Sequence, residues 1–388
     1  MKPLPFYFSL AGLIILLPAR GVCLNQSQHL KYYNLTIDYP APATASQTYD
    51  VLNYRINLSE QFKHAKIESH YEFFSQHSDS LSAGFINPDD NRLFRLTELI
   101  SESTGQITYH RLDRLFFTYH ADNSTYRFGR QAVTWGNGFV FNVMDIFNPF
   151  SPLAIDKEYK TGDDMFYLQN LTEAGNDWQF IYLPRRNTED EVDHRISSTA
   201  IKLHNTFSAA DLDFLFASHY NSLIFGLGIS HAISESLWRL DITHTETENG
   251  QSISHLTTNI DYSWLAFGKN MYGFIEYYYN GIGIDHATDT IDAQLASQIQ
   301  RGEIFTLYKQ HIAAGLRVEI HPLVNLSPTI INNLTDNSLL LSLSMHYNWY
   351  QNLNATVNFT LTEGRENSEY AGATSPGDSL QLLLAYYF

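Results

Sequence analysis

The chain has 388 residues and a formal net charge of −17, from 24 Lys and Arg against 41 Asp and Glu. An acidic balance of this size excludes nucleic acid as an expected partner, because a phosphate backbone is bound through a basic surface. Aromatic residues reach 14% and charged residues only 17%, and no run after residue 18 is long and apolar enough to span a bilayer as a helix. This composition favours a protein built from many short strands.

The first 23 residues have the pattern of a cleaved secretory signal peptide. Lys2 precedes the apolar run 6–17, which is too short for a comfortable membrane span, and small residues follow. Cleavage after Gly21 and cleavage after Cys23 both fit. Lipidation of Cys23 fits less well, because Arg20 stands where an apolar residue is usual. If cleavage follows Cys23, the mature chain has no cysteine, which excludes disulfides and thiolate metal sites.

The remaining chain divides into two predicted parts. Residues 24–48 are rich in Pro, Ala and polar side chains and are predicted to be an extended periplasmic leader. Residues 49–388 are predicted to form a single β domain without sequence repeats or low-complexity segments. In its C-terminal half, short links between strands alternate with longer ones, as expected when successive strands run up and down.

Apolar and polar residues alternate through segment after segment of this domain. In residues 352–362, Leu353, Val357 and Phe359 share one face, and Asn and Thr side chains occupy the other. A soluble sandwich shows the same alternation with its apolar face inward, so the period alone leaves both a sandwich and a barrel open. We predict about eighteen strands, with sixteen as the alternative. Their predicted starts lie near residues 50, 63, 92, 105, 124, 163, 177, 196, 210, 222, 236, 254, 270, 304, 323, 337, 351 and 379.

The most specific internal motif lies within residues 112–152. A strand that contains Gly-Arg-Gln at 129–131 is followed by Trp-Gly at 135–136 and by Asn-Pro at 148–149. This order resembles several families of Gram-negative outer-membrane porin-like proteins, among them relatives of the alginate-export and phosphate-selective porins. The resemblance implies a transmembrane, antiparallel, up-and-down β-barrel. The full signature of neither named family is present, so neither substrate class carries over.

The stretch 136–162 is too long for a simple hairpin. Its first half is apolar and is expected to fold inward against the barrel wall, where it would narrow a pore, while its second half is charged. Arg130 has two compatible interpretations: it faces solutes in the lumen, or it pairs with a carboxylate such as Asp145 and pins the loop. The charges expected to line the pore are Arg114, Arg130, Asp145, Asp156, Lys202, Arg317 and Glu319.

Sixteen histidines raise the question of catalysis, since outer-membrane lipases and proteases build sites from Ser, His, Asn and Asp. The candidates, none beside a nucleophile signature, are His204, His219, His244, His255 and His346. His244 with Glu246 or Glu248 offers too few ligands for a metal on a flexible rim. We predict no catalytic residue, metal or cofactor. A His within hydrogen-bond reach of both a Ser and a carboxylate would favour an enzyme instead.

The last strand carries the signal that best locates the protein. In residues 379–388, Leu380, Leu384 and Tyr386 share one apolar face, and the chain ends with Phe388. This ending resembles the terminal strand of Gram-negative outer-membrane β-barrels, in which a final aromatic residue helps the barrel assembly machinery to recognise the chain. Its partner is expected to be the strand that begins near residue 50.

Together these resemblances imply a channel in the Gram-negative outer membrane for passive diffusion of small hydrophilic solutes. The expected partners are outer-membrane lipid, the barrel assembly machinery through Phe388, and the solutes themselves. Two alternatives remain open. One is a barrel enzyme of the lipase or protease type, and the other is a barrel that sheathes a partner protein.

Overall fold

The structure, a computed structural model, describes residues 24–39, 46–79, 84–208, 210–372 and 375–388, and the predicted signal peptide lies outside these ranges. They form nineteen strands and one short helix, α1 (Ala293–Gln300). No helix within them is long and apolar enough to cross a membrane. The strands are β1 Asn25–Asp38, β2 Gln47–Gln61, β3 Ala65–Ser78, β4 Thr97–Ser103, β5 Gln106–Ala121, β6 Ser124–Gln131, β7 Asp163–Leu171, β8 Asp177–Leu183, β9 Ser198–Phe207, β10 Ala210–His219, β11 Ser222–Ile233, β12 Ser236–Glu246, β13 Ser252–Ala266, β14 Lys269–Asn280, β15 Gln310–His321, β16 Val324–Asn333, β17 Leu339–Tyr350, β18 Leu353–Glu363 and β19 Asp378–Tyr387.

Eighteen of these strands close into one antiparallel barrel. Apart from β4, each pairs with its neighbours along the chain, and β19 pairs with β1, with Tyr32 opposite Leu384. β4 pairs only with the first residues of β5, whose other edge pairs with β3. Further along β5, β6 takes the place of β4. The predicted all-β, up-and-down barrel is confirmed, with eighteen strands rather than sixteen.

The first strand, β1, occupies the segment that we predicted to be a leader. It lies between β2 and β19, so the prediction that the last strand pairs with the strand near residue 50 was wrong. Its alternation is weak because Asn34 and Thr36 share a face with Tyr32, while Lys31 faces the lumen. The count of eighteen was still correct, because the predicted start near residue 92 corresponds to β4, which is outside the barrel.

The barrel has a turn end and a loop end. Both Asn25 and Tyr387 lie at the turn end, where short connections such as 62–64, 122–123 and 267–268 join the strands. The loop end carries the long connections 79–96, 132–162, 184–197, 281–309 and 364–377. Because β1 is the first strand of the barrel, the long connection that follows β3 lies at the loop end rather than among the short turns.

The outer face of the wall is apolar. On β17, Leu341 and Met345 expose 38% and 42% of their surface outward. On β18, Phe359 and Leu361 are exposed, whereas Thr360 between them is buried inside the barrel. An apolar outer face with a polar inner face is the arrangement of a barrel surrounded by lipid.

The lumen is partly filled by residues 132–162, which we call the inward loop. Trp135, Met144 and Phe147 from its first half pack against inward side chains of the wall such as Ile181. Met144 and Ile181 have no exposed surface. Burial of a large apolar side chain contributes about 1.5–3 kcal/mol. The loop therefore folds inward because burial of its apolar first half is favourable, as we predicted from the sequence.

Candidate constriction site in the barrel lumen

The inward loop crosses the lumen to the wall opposite its origin. After it leaves β6, Asn137 donates from its backbone N and Nδ2 to the carboxylate of Asp241 on β12, at 2.6 and 2.9 Å. Glu276 on β14 then accepts from the three backbone N–H groups of residues 139–141, at 2.6, 2.9 and 2.8 Å. Because β14 lies eight strands from β6 in a barrel of eighteen, the loop spans nearly the full lumen.

Two glycines permit the bend that starts the crossing. Gly136 has a φ of +85°, a conformation that favours glycine, and a Cβ there would lie 2.0 Å from Asn142 Oδ1. A Cβ at Gly138 would lie 1.9 Å from Phe141 O. The Trp-Gly-Asn-Gly sequence at 135–138 therefore needs its glycines to make this turn inside the barrel.

A buried ion pair joins the two limbs of the inward loop. Lys160 Nζ lies 2.5 Å from Asp145 Oδ2 and donates to Val133 O at 2.6 Å. Burial raises the pKa of the Asp145 carboxyl and lowers the pKa of the Lys160 ammonium, and each charge offsets part of the effect on the other. Asp145, which we expected either to line the pore or to pair with Arg130, pairs with Lys160 and is 4% exposed.

The second limb is attached to β1 and β2. Lys31 forms ion pairs of 2.7 Å with both Asp156 and Glu158. The guanidinium of Arg55 lies 3.8 Å from the ring centroid of Tyr159, a cation–π contact. Asp156 keeps 38% of its side chain exposed. The loop is thus anchored on opposite sides of the lumen and constricts the space between them.

Arg114 belongs to a buried charge network. It is 7% exposed, its Nη1 donates to Asp113 Oδ2 at 2.8 Å, and its Nη2 donates to the carbonyl of Lys160. Asp113 also pairs with Arg55 at 2.9 Å, and Arg55 pairs with Glu72 at 2.8 Å. Arg114 therefore fixes the end of the inward loop to the wall, with little surface left for contact with a solute.

Arg130 is enclosed in the barrel wall. Its Nε lies 2.8 Å from Asp164 Oδ1, its Nη1 lies 2.8 Å from Asp89 Oδ1, and its Nη2 donates to Phe94 O at 2.6 Å. Asp89 and Phe94 belong to the segment 84–96, which covers the end of β6. Because Arg130 is 0% exposed, it has no surface for contact with a solute, and its carboxylate partners are not the predicted Asp145.

Arg317 and Lys157 are exposed cations of the lumen. Arg317 points inward from β15 near the turn end, with its guanidinium 5.5 Å from the ring centroid of Tyr272. Lys157 extends from the inward loop into the lumen. The surrounding protein atoms partly desolvate its ammonium and lower its pKa, and the charge of Glu276 offsets part of that effect. In the part of the chain that the structure describes, neither cation forms an ion pair within 4 Å.

The other predicted lumenal charges are held by neighbours. Glu319 accepts from Asn270 Nδ2 at 2.8 Å, near Arg317 on the same strand. Lys202 pairs with Asp213 at 3.0 Å. Of the predicted pore-lining charges, Arg114, Asp145 and Asp156 hold the inward loop in place. Arg130 is buried, Lys202 and Glu319 have partners on the wall, and Arg317 stays exposed.

Sequence reasoning missed the carboxylates that receive the inward loop. Glu276 is the single charged residue in the aromatic run 271–279, and Asp241 lies between Leu240 and Ile242 in the middle of β12. A lone carboxylate inside such a strand is costly to bury without donors. That isolation is a signal that would have identified Glu276, whereas Asp241 shares its face with Arg239 and gives no such signal.

Loop 281–309 is attached to the wall through a carboxylate. Glu303 lies 3.0 Å from His219 Nε2 on β10 and 2.5 Å from Arg301 Nε in the same loop. Burial alone would raise the pKa of Glu303, but His219 and Arg301 outweigh it and lower that pKa from 4.5 to about 2.

We expect acid to loosen loop 281–309. Because the pKa of Glu303 is lower in the folded protein than in a free side chain, its stabilisation is complete above pH 4.5 and is lost as the pH falls towards about 2. Hydrogen exchange at the backbone amides of this loop, corrected for intrinsic rates, should rise over that interval. A Glu303→Gln variant should exchange fast at every pH. Unchanged protection down to about pH 3 would show that the carboxylate does not hold the loop.

Comparison with known proteins shows which solved structures share this fold. No protein-family model matches the sequence, and no curated protein matches it. OccAB2 of Acinetobacter baumannii aligns with a TM-score of 0.58 at 8% identity, over 94% of this chain and 98% of that chain. OccK8 (OprE) of Pseudomonas aeruginosa aligns at 0.57 and 9%, over 94% and 98%. A BenF-like porin from Pseudomonas fluorescens Pf-5 aligns at 0.57 and 9%, over 95% and 99%.

These structural similarities define the fold class of the chain. The chain has the fold of porin-type outer-membrane β-barrels, and the alignments extend over nearly the whole of it. At identities of 8–9% the shared feature is the barrel itself, so the function must be argued from the residues in this lumen.

Proposed function

We propose that the protein is an outer-membrane channel through which small hydrophilic solutes diffuse passively, with the inward loop as its constriction. One observation carries this proposal: Asp241 on β12 and Arg55 on β2 hold the inward loop on opposite sides of the lumen, while Arg317 and Lys157 stay exposed in the remaining space. A loop fixed in this way narrows a pore without filling it, and charges exposed in a narrow lumen act on passing ions.

The setting that we propose is the Gram-negative outer membrane, with the turn end in the periplasm and the loop end outside. The apolar outer face suits lipid, and the long loops suit the external side. Phe388, 66% exposed at the turn end, suits recognition by the barrel assembly machinery. The pattern of residues 1–23 suits export through a cleaved signal peptide.

Replacing Arg317 with alanine is expected to shift the permeability ratio about two- to fivefold towards cations. The guanidinium lies in the lumen without an ion pair to any residue that the structure describes, so its loss leaves the local field more negative. Reversal potentials in planar bilayers under a salt gradient measure this ratio. Arg195→Ala is the matched control, because Arg195 pairs with Asp193 at 2.9 Å on the exposed loop 184–197. If the purified protein forms no channels, the proposed function is wrong.

An outer-membrane enzyme is the second candidate, because the geometry that we set as its criterion is present. His219 lies 2.8 Å from Ser198 Oγ through Nδ1 and 3.0 Å from Glu303 through Nε2. However, Ser198 is 1% exposed, and its Oγ already accepts from Arg185 Nη1 at 2.7 Å. A buried hydroxyl with an occupied lone pair is a poor nucleophile, so these contacts favour a structural role.

A similar arrangement surrounds His244 near the loop end. Its Nδ1 lies 2.9 Å from Ser254 Oγ and its Nε2 lies 2.9 Å from Glu246. In this site and at His219 the serine meets Nδ1, the reverse of the serine-hydrolase order, in which Nε2 is the base. Ester hydrolysis by the purified protein that is lost in Ser198→Ala or Ser254→Ala would favour the enzyme.

A barrel that sheathes a partner protein is the third possibility. The inward loop crosses the lumen between anchors on β1 and β14. It therefore occupies the space that a threaded protein would need, which makes the small-solute channel the better interpretation.

A further inference from the structure

Three inward-facing residues near the loop end are apolar, against the pattern of their strands. Ala313 on β15, Ile331 on β16 and Leu340 on β17 lie side by side in register. They are 1–3% exposed. Further along β17, the inward positions carry polar side chains such as Ser342 and Ser344. Apolar side chains in a polar lumen need an apolar neighbour, because water would otherwise cover them.

A cavity of about 330 Å³ lies against this patch. Its walls come from β16 and β17, the inward loop, loop 281–309 and loop 364–377. Most of the side chains that the loops contribute are apolar. They include Phe141, Leu153, Ile299, Phe305, Leu307 and Tyr370.

The carboxylate that lines this cavity is already satisfied. Glu369 lies 2.6 Å from His311 Nε2 and accepts from Asn333 Nδ2 at 2.9 Å and from the backbone N of Leu307 at 2.7 Å. It therefore has little capacity left to hold a cation. The cavity offers mainly apolar surface, and a ligand with an uncharged apolar group matches that surface.

We infer that the cavity is a binding subsite for an aromatic ring or a compact branched aliphatic group of a permeating solute. An apolar protein cavity of about 150 Å³ is large enough to hold benzene, so a cavity of about 330 Å³ accommodates a substituted ring. Burial of the apolar group supplies the affinity, and the polar part of the solute stays in the lumen. This inference rests on the proposed channel function and adds a class of solute to it.

Phenylalanine and serine are suitable probes, because both are zwitterions and only one carries a ring. Saturation-transfer NMR on the full-length protein in lipid nanodiscs should show transfer to the ring protons of phenylalanine and little transfer to serine. Ser151→Trp should abolish the phenylalanine signal, because Ser151 lines the cavity and a larger side chain fills it. Leu153→Asn should weaken phenylalanine binding about tenfold, because it makes the wall polar at similar size.

Leu334→Asn is the matched control, since Leu334 is 43% exposed in a neighbouring loop and does not line the cavity. It should bind phenylalanine as the unmodified protein does. Equal signals for phenylalanine and serine would overturn the inference, and so would a phenylalanine signal that Ser151→Trp and Leu153→Asn leave unchanged. Conductance in salt alone tests the channel separately. Binding without conductance would therefore keep the subsite and reject the channel, and conductance without binding would do the reverse.

Discussion

Replacement of Glu276 by alanine is expected to raise the single-channel conductance about twofold or more. Three backbone N–H groups of the inward loop lose their acceptor, and a hydrogen bond to a charged group contributes about 1.5–3 kcal/mol. The crossing limb should then leave the β14 wall and widen the pore. Single-channel recording in planar bilayers measures the change.

Glu319→Ala is the matched control for this experiment. Glu319 is an inward carboxylate on the adjacent strand β15, and it accepts a hydrogen bond from Asn270 rather than from the loop. This variant removes a lumenal carboxylate without freeing the loop, so its unitary conductance should change much less than that of Glu276→Ala. Heat-modifiable mobility on gels shows whether each barrel is folded. A folded Glu276→Ala barrel with unchanged conductance would contradict the anchoring role.

Replacement of Arg130 by alanine is expected to lower the free energy of unfolding by about 3–5 kcal/mol, because it leaves the buried carboxylates of Asp89 and Asp164 without their cation. Urea unfolding in lipid vesicles measures this loss. Ion selectivity should change little in the fraction that folds, since Arg130 is 0% exposed.

Arg127→Ala is the control that shows whether the loss of stability is specific to Arg130 or follows the removal of any arginine from β6. Arg127 lies 5.1 Å from the ring centroid of Tyr167, and it forms no ion pair within 4 Å in the described ranges. Its replacement should cost about 1 kcal/mol or less. Equal losses in the two variants would show that the buried ion pairs of Arg130 are not the cause.

The barrel could be predicted because its main signal is local. The alternation in β18 and β19 depends only on residues two apart, and the terminal Phe388 adds a direction. β1 escaped prediction because its outward face mixes Tyr32 with Asn34 and Thr36, which weakens the same signal. A short stretch of sequence does not show that a weakly alternating segment such as β1 pairs with two other strands, β2 and β19.

The constriction site was less predictable, because its contacts join distant parts of the chain. Asn137 meets Asp241 across 104 residues, and Lys31 meets Asp156 across 125. The alternation of apolar and polar residues shows which face of a strand a side chain occupies. It does not show which other segment of the chain covers that side chain. For that reason Arg130 was assigned to the lumen, although the segment 84–96 encloses it. The inward course of the loop was predictable, since its apolar residues needed a wall.

The spread of the loop anchors has a consequence for the order of folding. The inward loop is held at Lys31 near the start of the chain and at Glu276 far along it. Its native position is available only after β1 and β14 stand in the same wall. A barrel arrested before that stage carries a free apolar loop with unsatisfied N–H groups, the kind of surface that aggregates or attracts proteases. The contacts that narrow the lumen thus also cover this apolar surface, and we expect it to stay exposed until the barrel wall is complete.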